Sequence, residues 1–575
     1  MSVFRSEKAR GLLQNPSFLQ DWEKLASQMT MVTVIQRPPF VLTWYEQYAD
    51  VFEPVLVVGR TQNQRLVGLL PLAYSSKNRE LAHAGAWQAE YHGWISEKTF
   101  ECRFLIQALI AVKGEFGAAV RRWTWRWMPP GANTTWLNAP ELKRNGIFVS
   151  TIEQEPPVLV LSDEVKIRKI RRNRSLKAKM NRYKRRGAIR LERIVSPSRA
   201  EEIFDRLSLQ TDFRQMAVHG EKPFAQDPHK REFYLARLRH PENNHFTVLW
   251  LDDRPLAYHF GARDETTVYL GLTGYDPTES KNSPGILLFL QLIDLLKSEG
   301  FQLLDLTPGE DTYKARLGNT RRKVVEPTFY FRRRDKWLAD MLKIGRGVAK
   351  GVLHFLKIDH KRVRQKGALW LDFLRRVQTS SPLLAATEMF RVFFRSKTEL
   401  YYELDANRWK NVVPSNGEKI RFQHYSDLLL FEDVNPWLTQ RDVLSAALRH
   451  FSKGEKLATY VENERLICFG WEKSLSSAAQ EETPSRKISE KAVVFYDFFC
   501  HKSGQNSFPL VKMIAEMTRQ RLAQGTQKVG IFLPESVKQA KNDLQELGFV
   551  PVKKIRERVV LGRFSHREKP ITGKV

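Results

Sequence analysis

Residues 266 to 315, TTVYLGLTGYDPTESKNSPGILLFLQLIDLLKSEGFQLLDLTPGEDTYKA, constrain the fold more than any other stretch of the chain. Dense apolar patterning over Thr267 to Tyr275 predicts a strand, a period near 3.6 over Ile286 to Glu299 predicts a helix, and a second strand ends at Asp305. Ser283, Pro284 and Gly285 stand where the helix opens. A helix start leaves backbone N–H groups unpaired at the positive end of its dipole, which suits phosphate. Gly309, Glu310, Tyr313 and Lys314 follow the second strand directly. The segment therefore offers anion binding on one side and proton transfer on the other.

The same order of elements occurs three times. In the first copy, strands at Pro54 to Gly59 and Arg65 to Ala73 precede a helix at Phe100 to Phe116. A strand at Trp123 to Met128, a short helix near Pro140 to Asn145 and closing strands to Leu161 complete it. The second copy has a meander of His245 to Leu251, Leu256 to Ala262 and Thr267 to Tyr275, then the helix and strand above, with Tyr313 in a short helix. The third runs through Lys456 to Val461, Leu466 to Glu472, Ala492 to Cys500, a helix at Pro509 to Gln524, a strand at Lys528 to Leu533, a helix at Ser536 to Leu547 and a strand at Lys554 to Leu561. Repetition at about 150 residues predicts tandem domains of mixed α/β class rather than a solenoid. The expected boundaries are 1–162, 163–331, a basic helical linker at 332–398, and 399–575.

The chain has 575 residues and a formal charge of +29. Residues 161 to 194 hold 14 Lys and Arg against 3 Asp and Glu, and residues 331 to 397 hold 17 against 5, so two segments carry +23 of that charge. Such patches favour a polyanion or an anionic membrane surface as partner. In the linker, Lys343, Arg346, Lys350 and Lys357 share one helical face. Leu338, Leu342, Val348, Val352, Phe355 and Leu356 supply an apolar surface, the pattern of an interfacial helix, and equally that of a packed linker helix. Cys102, Cys468 and Cys500 are three and widely separated, which indicates neither a disulfide framework nor a zinc site. No signal peptide and no apolar run long enough to span a membrane is read, so the expected location is cytoplasmic, peripheral to the inner face of the membrane.

Several short motifs together resemble the CelD/BcsL family, GNAT-like acyltransferases described as acetyltransferases of cellulose biosynthesis and distantly related to Fem-type aminoacyl-ligases. They are GYDP at Gly274 to Pro277, SPG at Ser283 to Gly285, D-L-x-x-G-E-x-x-Y-K at Asp305 to Lys314, and an upstream block with Trp44, Pro71, Leu72 and Glu90-Tyr91-His92-Gly93. The resemblance covers residues 40 to 330. It implies tandem GNAT-like folds with a catalytic second copy, acetyl-CoA or another acyl-CoA as co-substrate, and no metal. The third copy, with His501 to Pro509 before its helix, lacks the family's glycine loop, and its coenzyme binding is in doubt.

Acyl transfer from a thioester needs a held carrier, a deprotonated nucleophile, a stabilised oxyanion and a proton for the leaving thiolate. For the carrier the candidates are Ser283, Gly285, Ile286 and Leu287 at the helix start, with Thr273 and Gly274 presenting the thioester. Asp305 is the base candidate, or a cap of the Thr307-Pro308-Gly309 turn. The resemblance implies Tyr313 as the proton donor. His259 is a cleft histidine or a structural one, and Lys314 orients an acidic acceptor or decorates a helix. Glu90, Tyr91 and Glu310 are expected on the acceptor side. The acceptor implied is a cell-envelope saccharide, an exopolysaccharide or its lipid-linked precursor, at an amine or hydroxyl. The basic run Lys166 to Gly187 leaves open a Fem-type transferase using aminoacyl-tRNA, and a non-catalytic scaffold binding membrane or polymer is the third reading; nucleic acid is the weaker partner, since only Tyr183 is there to stack.

Overall fold

The computed structural model describes residues 1–29, 31, 33–309, 311–343, 394–410, 419–433, 438–475, 492–501, 508–535, 537, 540–560 and 563–570. Glu310 and most of the linker, 344–393, thus lie outside the described residues. The described residues of Met1–Ser208, Pro223–Tyr275 and Pro284–His360 form one compact unit; those of Leu209–Lys222, Asp276–Ser283 and Lys361–Val575 form another.

In the first unit, the strand Leu66–Ser75 is buried along its whole length and pairs with Glu53–Arg60 on one side and Glu80–His83 on the other. Gly59 and Gly68 face each other across that pair and make room for the Phe104 ring. A Cβ on either would lie 2.8 or 2.4 Å from it. Phe104 belongs to the helix Glu101–Phe116, whose apolar face meets this sheet in a core that also holds Trp94, Trp123, Trp125 and Trp136. A second meander, Ile189–Ile194, Asn244–Leu251 and Arg254–Ala262, is antiparallel throughout.

The two copies exchange strands. Pro157–Val160, at the end of the first copy, lies antiparallel between Leu303–Asp305 and Thr320–Arg321 of the second. Val324–Tyr330, at the end of the second copy, lies between Arg122–Thr124 and Phe148–Gln154 of the first. Each copy thereby completes the other's sheet.

The expected single strand Thr267 to Tyr275 is corrected. Thr267–Tyr269 runs parallel to Leu303–Asp305, whereas Leu272–Tyr275 runs antiparallel to Arg254–Ala262, so the strand changes sheet at Leu270 and Gly271. Glycines make the crossing possible. A Cβ on Gly261 would lie 1.7 Å from the Tyr269 carbonyl oxygen, and one on Gly271 2.4 Å from that of Phe260.

Among the described residues the second unit holds an eight-stranded sheet in which only Ala492–Cys500 and Lys528–Pro534 are parallel. Phe394–Asp405 fills the place between Lys528–Pro534 and Val550–Val560 that an exchanged strand fills in the first unit. The reading of the cysteines is corrected here. Cys468 and Cys500 sit opposite each other on adjacent strands, Cα atoms 4.3 Å apart, and form a disulfide. Their separation of 32 residues gave no hint of that register.

Candidate active site

Polar side chains of the first unit gather where the strand changes sheet at Leu270–Gly271, the Leu270 N–H itself donating to the Asp305 carbonyl at 2.9 Å. Asp305 ends its strand there, 1 % exposed. Its Oδ1 accepts the Thr307 N–H at 2.8 Å, so it caps the following turn as well as facing inward. Both carboxylate oxygens also accept from the Tyr91 hydroxyl at 3.1 Å. Burial raises the Asp305 carboxyl above its ordinary range, while the Thr307 and Tyr91 hydrogen bonds pull it back. Tyr91 is fully buried, and burial together with the Asp305 charge keeps its hydroxyl protonated far above the usual range.

Glu90 comes from the first copy and reaches the change of sheet in the second. Its Oε1 would lie 3.0 Å from a Cβ on Gly271. Oε2 is buried without a hydrogen-bond partner. Burial raises the carboxyl, opposed by the charges of Arg237, Arg126 and Lys314. A backbone hydrogen bond also pulls the carboxyl down; a buried carboxylate raised by desolvation and with one oxygen unpartnered suits a general base beside a reacting group.

The other expected residues separate into two groups. Lys314 turns inward, its Nζ donating to the Thr307 and Pro308 carbonyls at 3.3 and 3.2 Å, so it braces the turn after Asp305. Tyr313, half-buried, stacks on Phe289 with ring centroids 5.8 Å apart. His259 is fully buried with its Nε2 3.1 Å from the Tyr269 carbonyl oxygen; burial, then the neighbouring His245, lowers it to about 3. It is therefore neutral. Thr273 pairs with His259 across the strands, and Gly274 leaves room for the Tyr258 ring.

The helix after the change of sheet spans Pro284–Ser298, after the short turn of helix Pro277–Asn282 and a left-handed Ser283 at φ +54°. Leu287 is buried, while Gly285 and Ile286 are half-exposed. The nearest atom to a Cβ on Gly285 would be 3.7 Å away in Tyr275, so packing within the protein does not require glycine there.

Sequence reasoning missed Arg237, Arg126, Gly261 and Gly271. Arg237 ends the helix Pro228–Arg237, where an arginine reads as a partner of the helix dipole. The aromatic Phe233 and Tyr234 one turn earlier were the available signal.

Residues 169–315 match a family model described as an acetyltransferase (GNAT) domain. The chain accordingly carries a GNAT domain and is an acyltransferase. Among curated proteins no relative matches. Solved structures with some likeness include the C-terminal domain of a putative lysylphosphatidylglycerol synthetase from Agrobacterium fabrum, at 14% identity over 56% of this chain and 95% of that one, TM-score 0.35. FemX follows at 10% identity over 53% and 95%, TM-score 0.37. A tandem GNAT protein from the clavulanic acid biosynthesis pathway gives 12% over 57% and 98%, TM-score 0.32. At such scores these likenesses carry no argument, and the reading rests on the residues.

Proposed function

We propose that the second copy transfers an acyl group, acetyl first among them, from coenzyme A to an amine or hydroxyl of a cell-envelope saccharide or its lipid-linked precursor. The observation that carries the reading is the change of sheet at Leu270–Gly271, followed by the half-exposed helix start at Gly285, with Glu90 and Asp305 beside it. The helix start would hold the coenzyme pyrophosphate on backbone N–H groups, and Gly285 lets it come close.

Glu90 takes the proton of the acceptor amine or hydroxyl as its nitrogen or oxygen attacks the thioester carbon. The carbonyl π pair moves to oxygen, where backbone N–H groups at the change of sheet stabilise it. Collapse of the tetrahedral intermediate breaks the carbon–sulfur bond, and the thiolate takes a proton from Tyr313 or from solvent. Asp305 acts through Tyr91 as a positioning group beside Glu90.

Titration calorimetry with acetyl-CoA and desulfo-coenzyme A tests this directly. Micromolar binding lost in Gly285→Asp supports it. No binding to either ligand sinks it and brings forward the aminoacyl-tRNA reading, for which the exposed cations of Glu164–Arg171 and Arg174–Lys184 speak, or the scaffold.

A further inference from the structure

The Arg237 side chain is 2 % exposed, an unusual place for a permanent positive charge. Its Nε donates to Asn244 Oδ1 at 2.8 Å. Nη1 and Nη2, by contrast, are buried and have no hydrogen-bond partner among the described residues. Four rings surround the guanidinium, those of Phe40, Phe233, Tyr234 and Phe260, with centroids 5.1 to 5.8 Å from Cζ. Cation–π contacts offset part of the cost of burying the charge. They leave four N–H bonds without acceptors, and burying a charge whose hydrogen bonds are unmade costs more than any one such contact returns.

The opposite charge nearby does not close the gap. Glu90 supports the charge of Arg237 electrostatically, yet its Oε2 is itself unpartnered. Two groups of opposite sign therefore stand close enough to feel each other, with no hydrogen bond between them. Arg237 also lines a small cleft with Val34, Phe40, His240, Asn243 and Asn244.

We propose that Arg237 receives an anionic group of the acyl acceptor, a carboxylate or a phosphate, on its paired Nη1 and Nη2 donors, with the acceptor's nucleophile directed to Glu90. The proposal rests on the acyl-transfer reading for the identity of the ligand, but not for the existence of the anion site. A guanidinium fork matches either anion in two parallel hydrogen bonds, which a lysine ammonium cannot reproduce. Aromatic walls exclude water and strengthen the pairing. An acceptor such as an acidic sugar or a sugar phosphate has both features, the anion and a nearby hydroxyl or amine.

The test is calorimetric titration of the full chain with inorganic phosphate and, separately, with acetate, at fixed ionic strength. One or both bind to the wild type, and the stronger probe identifies the class. Arg237→Lys weakens that binding by about tenfold or more, because the fork is lost while the charge stays. Glu90→Gln strengthens it several-fold by removing a repelling charge, and that variant does not depend on how well the arginine variant folds. Absence of binding by both probes, or equal affinity in wild type and Arg237→Lys, overturns the proposal; so does unchanged affinity in Glu90→Gln. Coenzyme A titrated in the same buffers separates the two readings. Coenzyme binding without anion binding sinks the Arg237 site alone, and anion binding without coenzyme binding sinks acyl-CoA use alone.

Discussion

The Tyr91 hydroxyl and the Asp305 carboxylate, 214 residues apart in sequence, meet at 3.1 Å in the buried centre of the first unit. The contact joins the first copy to the second at the strand end beside the change of sheet. Removing the hydroxyl removes a hydrogen bond that holds the Asp305 carboxyl down. In Tyr91→Phe the carboxyl therefore rises further, and the acid limb of the kcat/KM profile moves to higher pH. Asp305→Asn lowers kcat by roughly 10²-fold or more, if acid–base positioning is its part. A double variant costing no more than Asp305→Asn alone would show that the two act as one unit.

Glycines at the change of sheet and at the helix start separate folding from binding. Gly271→Ala drives a methyl to 2.4 Å from the Phe260 carbonyl oxygen and 3.0 Å from Glu90. Backbone must shift, at a cost of about 1–3 kcal/mol, so the thermal midpoint falls. Gly285→Asp meets no such obstacle, and an acidic residue in a first helical turn favours the helix. It keeps the wild-type midpoint and loses coenzyme A in calorimetry. A fall in both properties for Gly285→Asp would undo the assignment of the phosphate site.

The strand exchange predicts that neither copy folds alone. Residues 163–331 expressed without Pro157–Val160 leave Thr320–Arg321 unpaired and Leu303–Asp305 paired on one side only, and residues 1–162 lack Val324–Tyr330. Open edges of this kind associate with other chains. Each piece should show poor amide protection in hydrogen exchange, while the chain from 1 to 343 gives a cooperative transition. Independent folding of residues 163–331 would contradict the pairing.

Much of this fold was legible in the sequence because its elements are long. The third meander, the first two strands of the second, the helix before Leu303–Asp305 and the placing of Asp305 at a strand end followed from periodicity alone. Partner choice was not legible. Pro157–Val160 and Val324–Tyr330 are short apolar strands, and nothing in four or seven residues states which sheet they will join. The change of sheet at Leu270–Gly271 was hidden because apolar residues continue through it. Arg237 was missed because its burial comes from Phe40 and Phe260, which the sequence places far away.

Histidines set the acid side of the stability profile. His259 and His92 are held neutral, each lowered to about 3, and His245 to about 4, with burial the main cause in all three. Below an ordinary imidazole value of about 6.5 the unfolded chain binds protons that the folded chain does not, so stability falls as the pH drops from there towards the folded values. The raised carboxyls of Asp305 and Glu90 act in the other direction, contributing stability at low pH that is lost as the pH rises through their folded values. A fully buried imidazole contributes on the order of 4 kcal/mol to the acid-side loss. In His259→Gln the slope of stability against pH between 6.5 and 4 should be shallower than in the wild type. An identical slope would mean that His259 titrates normally.

The helix from residue 333 to at least 343 is where the basic linker begins, and it presents apolar side chains to solvent. Trp337, Leu338, Met341 and Leu342 are 46 to 64 % exposed, on adjoining turns of one face. Arg332, Arg333, Arg334 and Lys343 supply cations around them. An exposed apolar stripe flanked by cations suits a lipid interface, which a vesicle assay tests. Binding to vesicles containing anionic lipid should weaken by about tenfold when Leu338 and Leu342 are both changed to Ser, since each leucine loses its apolar burial. Added salt should weaken the wild type too, through the flanking cations. Vesicle binding that ignores both changes would return the segment to the role of a packed linker, and an acceptor presented in solution would then be the better substrate to screen.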